Sequence, residues 1–128
     1  MKPSNRTVGI RLRLVLAPGI ALGPGKADLL QGIKETGSIA AAGRRMRMSY
    51  KRAWQLVEML NEAFSAPVVA AAKGGAKGGG AELTGLGEEV LALYRRMEAR
   101  AARGAQSDLA TLQARLARSR EPGPAAGA

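Results

Sequence analysis

The sequence predicts a mainly α (α+β) chain built as a winged helix-turn-helix with a two-stranded wing. Two observations carry that expectation. Two short helical segments are separated by only Arg47 and Met48, and two short extended segments flank the glycine-rich run 74–80. A tight junction between helices sets the second across the first, as a helix-turn-helix requires. Two short strands around a glycine loop read as a hairpin. A third observation extends the architecture. Leucine stripes recur from Leu86 onward, which predicts further C-terminal helices suited to dimerisation.

In chain order, residues 11–16 (RLRLVL) begin as an alternation and then turn apolar, which predicts a strand, extended to Leu22 beyond the Pro18-Gly19 turn. Leu29, Leu30 and Ile33 recur at helical spacing, with Gly37 as the stop. Ser38 suits the N-cap of a short helix to Met46, and its Ala40-Ala41-Ala42 run lets helices approach closely. Ser49 suits the N-cap of a longer helix to about Phe64, with Ala53, Trp54, Val57 and Leu60 on its apolar side. Among these, Trp54 is expected at the centre of the core, with an indole N–H in need of a partner, and Val57 and Leu60 beside it. Val68 to Ala72 and Ala81 to Thr84 are the expected wing strands. A further helix is expected from Leu86 to about Arg103, then a break at Gly104. These signals divide the chain into a winged domain over 1–104, an appended amphipathic helix over 105–119 carrying Leu109, Leu112 and Leu116, and a disordered tail over 120–128.

A chain of 128 residues has room for one small core. No apolar run reaches the roughly 20 residues that span a bilayer, and no signal-peptide block opens the chain, so a cytoplasmic protein without a membrane partner is expected. Twenty basic residues against ten acidic ones leave a formal charge of +10. Such a surplus draws polyanions, although an Arg-rich composition alone can produce it. Its distribution favours a partner. Arg44, Arg45, Arg47, Lys51 and Arg52 crowd into 44–52 without an acid, whereas 85–103 mixes both signs.

A recognition helix of this kind offers its first turn to the major groove of double-stranded DNA. Ser49, Tyr50, Lys51, Arg52 and Gln55 lie off the apolar stripe and can face the duplex. A helix N-terminus with a hydroxyl meets phosphate, Lys and Arg meet phosphate or guanine acceptors, and Gln can pair with adenine. Tyr50 adds a phenol for a phosphate or a thymine methyl. With Ser38 and Arg47 from the preceding helix and turn, and Lys73 and Lys77 from the glycine-rich wing, these form the candidate DNA-binding set. For any one of the recognition-helix residues a plain solvated face is an equal reading; for the glycine-rich segment the alternative is a plain flexible loop, and its lysines favour the wing. The glycine run fails as a nucleotide-phosphate loop, because no Gly-Lys-Ser/Thr follows and a strand comes next. The chain holds neither His nor Cys, so the commonest metal ligands and the commonest general base are missing. Catalytic residues, metal and cofactor are therefore expected to be none, and the protein is not expected to be an enzyme.

The residues Thr36-Gly37-Ser38-Ile39-x-x-Ala42, Met48-Ser49-Tyr50-Lys51-x-Ala53-Trp54 and Met59-x-Asn61, continuing through Gly74-Gly75-Ala76-Lys77-Gly78-Gly79-Gly80-Ala81-x-Leu83-Thr84, resemble the N-terminal domain of the molybdate-responsive transcriptional regulator ModE family. The resemblance covers roughly 10–100. The wider helix-turn-helix pattern is also similar to LysR-type regulators, but the wing favours ModE. It implies a homodimer that binds a palindromic operator through the helix at Ser49 and the wing. In that family molybdate is bound by separate C-terminal β modules. Here the residues after Thr84 read as helical, so no molybdate site is expected on this chain. A protein–protein adaptor on a winged-helix scaffold and a nonspecific architectural DNA-binding protein remain alternatives, because fold alone does not decide function.

Overall fold

A computed structural model describes residues 7–72 and 80–117. The chain opens with a tight hairpin, β1 (Leu14–Ala17) and β2 (Ile20–Leu22), paired antiparallel with Leu14 opposite Leu22. The single extended strand expected over this stretch is thus folded back on itself. Gly19, at φ 81, supplies the left-handed residue that reverses the chain.

Three helices follow: α1 (Pro24–Thr36), α2 (Ile39–Arg45) and α3 (Tyr50–Ala63). Each boundary has a local cause. Pro24 sits in the first turn of α1, and Gly37 ends it in the left-handed region with its N–H donating to the Ile33 carbonyl at 2.8 Å. The Ser38 and Ser49 hydroxyl oxygens each accept a backbone N–H three residues on, from Ala41 and Arg52. Both expected N-caps are therefore in place. Between α2 and α3, Arg47 adopts φ 58, and the Gly43 carbonyl accepts from both Met46 N–H and Met48 N–H. The helices meet through their smallest residues. A Cβ on Gly32 would lie 2.9 Å from Ala42 Cβ, and one on Gly43 would lie 3.0 Å from Ala53 Cβ. Those contacts bring α1 onto α2 and α2 onto α3 with almost no side chain between them.

The wing strands β3 (Val69–Ala72) and β4 (Gly80–Leu83) pair antiparallel, Val69 opposite Leu83 and Ala72 opposite Gly80. Ala81 N–H donates to the Gly37 carbonyl at 2.9 Å, tying the wing to the end of α1. The wing tip, including Lys73 and Lys77, lies outside the described residues, as does the expected tail.

Helix α4 (Gly85–Ala114) is capped by Thr84 and packs along α1 through Val90, Leu91 and Tyr94, with ion pairs Lys34–Glu88 and Arg95–Asp28 beside the apolar contact. Tyr94, fully buried, is among the largest side chains of the core, and its hydroxyl donates to the Leu12 carbonyl at 2.7 Å. The break expected at Gly104 does not occur, so residues 105–114 of the stretch read as an appended helix continue α4, which ends at Ala114. A lone glycine costs a helix about 1 kcal/mol relative to Ala. Here it lies in a run of Ala, Arg, Gln and Leu, with open space where its Cβ would be, and nothing forces it out of helical geometry. Beyond residue 101 α4 leaves the body of the domain, and Leu112 and Leu116 are exposed.

Candidate nucleic-acid interface

Helix α3 buries only a narrow arc: Ala53, Leu56, Val57 and Leu60. At about 100° per residue, the opposite arc is the crest formed by Lys51, Gln55 and Glu58, all exposed. Two grooves flank that crest. One, about 510 Å³, runs between α3 and the wing and is lined by Ser38, Tyr50, Trp54, Asn61 and the small side chains Ala70 to Ala72. The other, about 330 Å³, runs between α3 and the N-terminal hairpin and is lined by Arg13, Lys26, Met48, Arg52 and Met59.

Of the predicted set, Ser49, Tyr50, Lys51, Arg52 and Gln55 come together on the first turns of α3, and Arg47 is exposed in the turn just before them. Ser38 is half-buried at the N-cap of α2 and faces the wing-side groove. Among the described residues, Arg44, Arg47, Lys51 and Arg52 make no ion pair, whereas Arg45 is held by Glu35. Gln31 also donates to Glu35, and the Arg45 hydrogen bond followed by the Gln31 one holds its carboxyl below the ordinary value of 4.5. Four of the five cations in the basic cluster therefore remain available to an external anion.

Val57 and Leu60 are core residues as expected, but Trp54 is not: it is 39% exposed. The reason is its angle: α3 packs on the arc of Ala53, Leu56, Val57 and Leu60, and Trp54, about 100° round the helix from Ala53, falls at the edge of that arc in the wing-side groove. It leans toward the wing and packs edge-on against Tyr50, with centroids 6.4 Å apart and planes at 85°. The indole N–H finds its partner in the Tyr50 hydroxyl oxygen. That bond leaves the Tyr50 hydroxyl proton free to donate outward.

Asn61 was given no role by its sequence context. Its Oδ1 accepts Val68 N–H at 2.8 Å and Val69 N–H at 3.1 Å, and its Nδ2 donates to the Val69 carbonyl at 3.3 Å. One carboxamide thus fixes the start of the wing to the end of α3. Gly87 completes the joint: a Cβ there would lie 2.1 Å from the Val68 carbonyl oxygen, which also accepts Thr84 N–H. Arg13 and Lys26 were missed as well, because they join Arg52 only when the segment before β1 and the start of α1 fold beside α3. Isolated basic residues distant in sequence carry no signal of such a meeting.

No protein-family model matches the chain. Over 81 residues it is 48% identical to the molybdenum-pterin-binding protein MopB of Rhodobacter capsulatus, covering 63% of this chain and 30% of that protein. It is 36% identical over 88 residues to the molybdenum transport protein ModE of Azotobacter vinelandii, covering 69% and 33%. Against the DNA-binding transcriptional dual regulator ModE of Escherichia coli it is 35% identical over 85 residues, covering 66% and 32%. The chain spans about a third of the length of these curated relatives. The solved CbnR_DBD-DNA complex superposes with a TM-score of 0.55 at 22% identity, covering 68% of this chain and 94% of that one. At that identity the likeness bears on the fold alone. About two thirds of this chain is therefore similar in sequence to roughly a third of ModE and Mop proteins, and its fold is a winged helix-turn-helix with a two-stranded wing.

Proposed function

We propose that this chain is a sequence-specific transcriptional regulator that binds operator DNA as a homodimer, with the first turns of α3 in the major groove and the wing on the adjoining backbone. The observation that carries the reading is the exposed face of α3, where Lys51 and Gln55 project from the crest with Arg52 on its hairpin flank, beside Arg44 and Arg47, which make no ion pair among the described residues. B-DNA's major groove is about 12 Å wide and a helix with side chains about 10–12 Å across, so a crest flanked by two grooves suits it. Tyr50, its proton freed by Trp54, donates to a phosphate or a base acceptor. Lys73 and Lys77 of the wing meet phosphate. Exposed Leu112 on α4 and Leu116 just beyond its end supply the dimer contact. The relatives named as molybdenum proteins and regulators support control of molybdenum-related genes.

The test is an electrophoretic mobility shift with the DNA upstream of the chain's own gene against an unrelated fragment. Preferential retardation of the first, lost in Lys51→Ala/Arg52→Ala, is expected. Equal affinity for both fragments would make the protein a nonspecific architectural binder. Failure to bind either, with partner proteins still captured by the double variant, would make it an adaptor.

A further inference from the structure

The hairpin-side groove has no counterpart among the features that suggest a recognition helix. Its polar lining is entirely cationic: Arg13 from the segment leading into β1, Lys26 from the first turn of α1, and Arg52 from α3. These come from three separate parts of the chain and share a notch of about 330 Å³ lined by no carboxylate. Glu62 lies in the neighbouring depression beside Lys26, yet the two form no ion pair.

We infer that Arg13, Lys26 and Arg52 form a phosphate-binding notch that grips the DNA strand running along the hairpin side of α3. The inference rests on the DNA-binding reading above and extends its footprint to the N-terminal hairpin. A helix lying in a major groove has a sugar-phosphate backbone on each flank. On the wing side that flank is aromatic and small; on the hairpin side it is a cluster of like charges. Such a cluster is unfavourable when empty and is relieved by an arriving anion. The same repulsion is felt by Lys26, whose pKa is lowered by burial first and then by Arg13 and Arg52. Lys26 Nζ also donates to the Ala21 carbonyl at 3.0 Å, which holds the ammonium at the notch instead of letting it swing into solvent. Two of its three N–H groups remain for a phosphate oxygen. Met48, Leu56 and Met59 supply the apolar part of the notch's lining.

The experiment measures fluorescence anisotropy of a labelled mixed-sequence duplex of about 30 base pairs across about 50–200 mM salt, with the full chain. The variant Arg13→Gln/Lys26→Met is expected to reduce the salt slope by about 2, which is about 30-fold weaker binding near 0.15 M salt. Arg13→Gln alone leaves the Lys26–Ala21 bond intact and should reduce the slope by about 1. Arg100→Gln/Arg103→Gln on α4 removes the same charge elsewhere and should leave the slope unchanged. Far-UV circular dichroism checks that each variant is folded. Wild-type protein that binds with a slope the notch variants do not change overturns this inference alone. An equal loss in the α4 control also overturns it, because net charge would then be the cause. No wild-type binding overturns the DNA-binding reading itself. Sulfate at fixed ionic strength separates a free oxyanion from a DNA phosphate. If sulfate raises the melting temperature of wild type but not of the notch variant, while their duplex slopes agree, the occupant is a free anion and the DNA assignment fails.

Discussion

Replacing Asn61 with Ala cuts the joint between the recognition helix and the wing. The carboxamide satisfies two backbone N–H groups, on Val68 and Val69, and both residues are buried. A buried donor left without a partner costs about 1–3 kcal/mol. Asn61 is itself only half-buried, so water reaches part of the vacated space and the cost per donor falls near the lower end. Two donors then give about 2–3 kcal/mol. The long 3.3 Å bond from Nδ2 to the Val69 carbonyl adds little, and better helix propensity of Ala returns about 0.5 kcal/mol. The net expectation is a loss of about 2 kcal/mol, a fall in Tm of roughly 8–12 °C for a domain near 100 residues. Urea denaturation followed by circular dichroism measures the loss, and amide hydrogen exchange locates it at Val68 and Val69. Asn61→Asp keeps the oxygen that accepts both N–H groups but loses the Nδ2 donor, and should fall between. A loss under about 0.5 kcal/mol with both amides still protected would refute the idea that this side chain holds the wing.

Three other outcomes are expected. Gly87→Ala puts a Cβ 2.1 Å from a backbone carbonyl, so the start of α4 must move and stability should drop by about 3 kcal/mol or more; a variant as stable as wild type in denaturant would contradict this close approach. Tyr94→Phe keeps the ring in the core but leaves the Leu12 carbonyl without its donor, costing about 1–2 kcal/mol and raising exchange in the segment before β1; loss spread over α1 instead would point to a packing role. Glu35 should titrate below 4.5 by NMR, because Arg45 and then Gln31 hydrogen-bond its charged form. Its lowered pKa means the associated stabilisation is complete above 4.5 and is lost as pH falls through the folded value. Arg45→Ala should return the Glu35 pKa toward 4.5, and an unchanged titration would show that the pair does not persist in solution.

Most of the fold was legible in local signals. Caps at Ser38 and Ser49, the stop at Gly37 and the glycine-rich run between two short strands all act within a few residues of themselves, so chain order suffices to read them. The exposed face of α3 was legible for the same reason: helical spacing alone puts Lys51, Arg52 and Gln55 away from Ala53, Val57 and Leu60. Gly104 misled because glycine weakens a helix without forbidding it, and the length of α4 on both sides outweighs one unfavourable residue.

What chain order could not supply depends on distance across the fold. Trp54 recurs at helical spacing with Val57, yet its burial is decided by which arc of α3 the other elements cover, and that arc leaves it at the edge, in the wing-side groove. Asn61 matters only because Val68 and Val69 turn back beneath it, and Arg13 and Lys26 meet Arg52 only when the segment before β1 and the start of α1 fold beside α3. The sequence set the helices, their caps and the charge they display, because hydrogen bonds and periodicity act locally. Packing chose which side chains share a groove, since volume exclusion and charge convergence belong to residues that are neighbours in space alone.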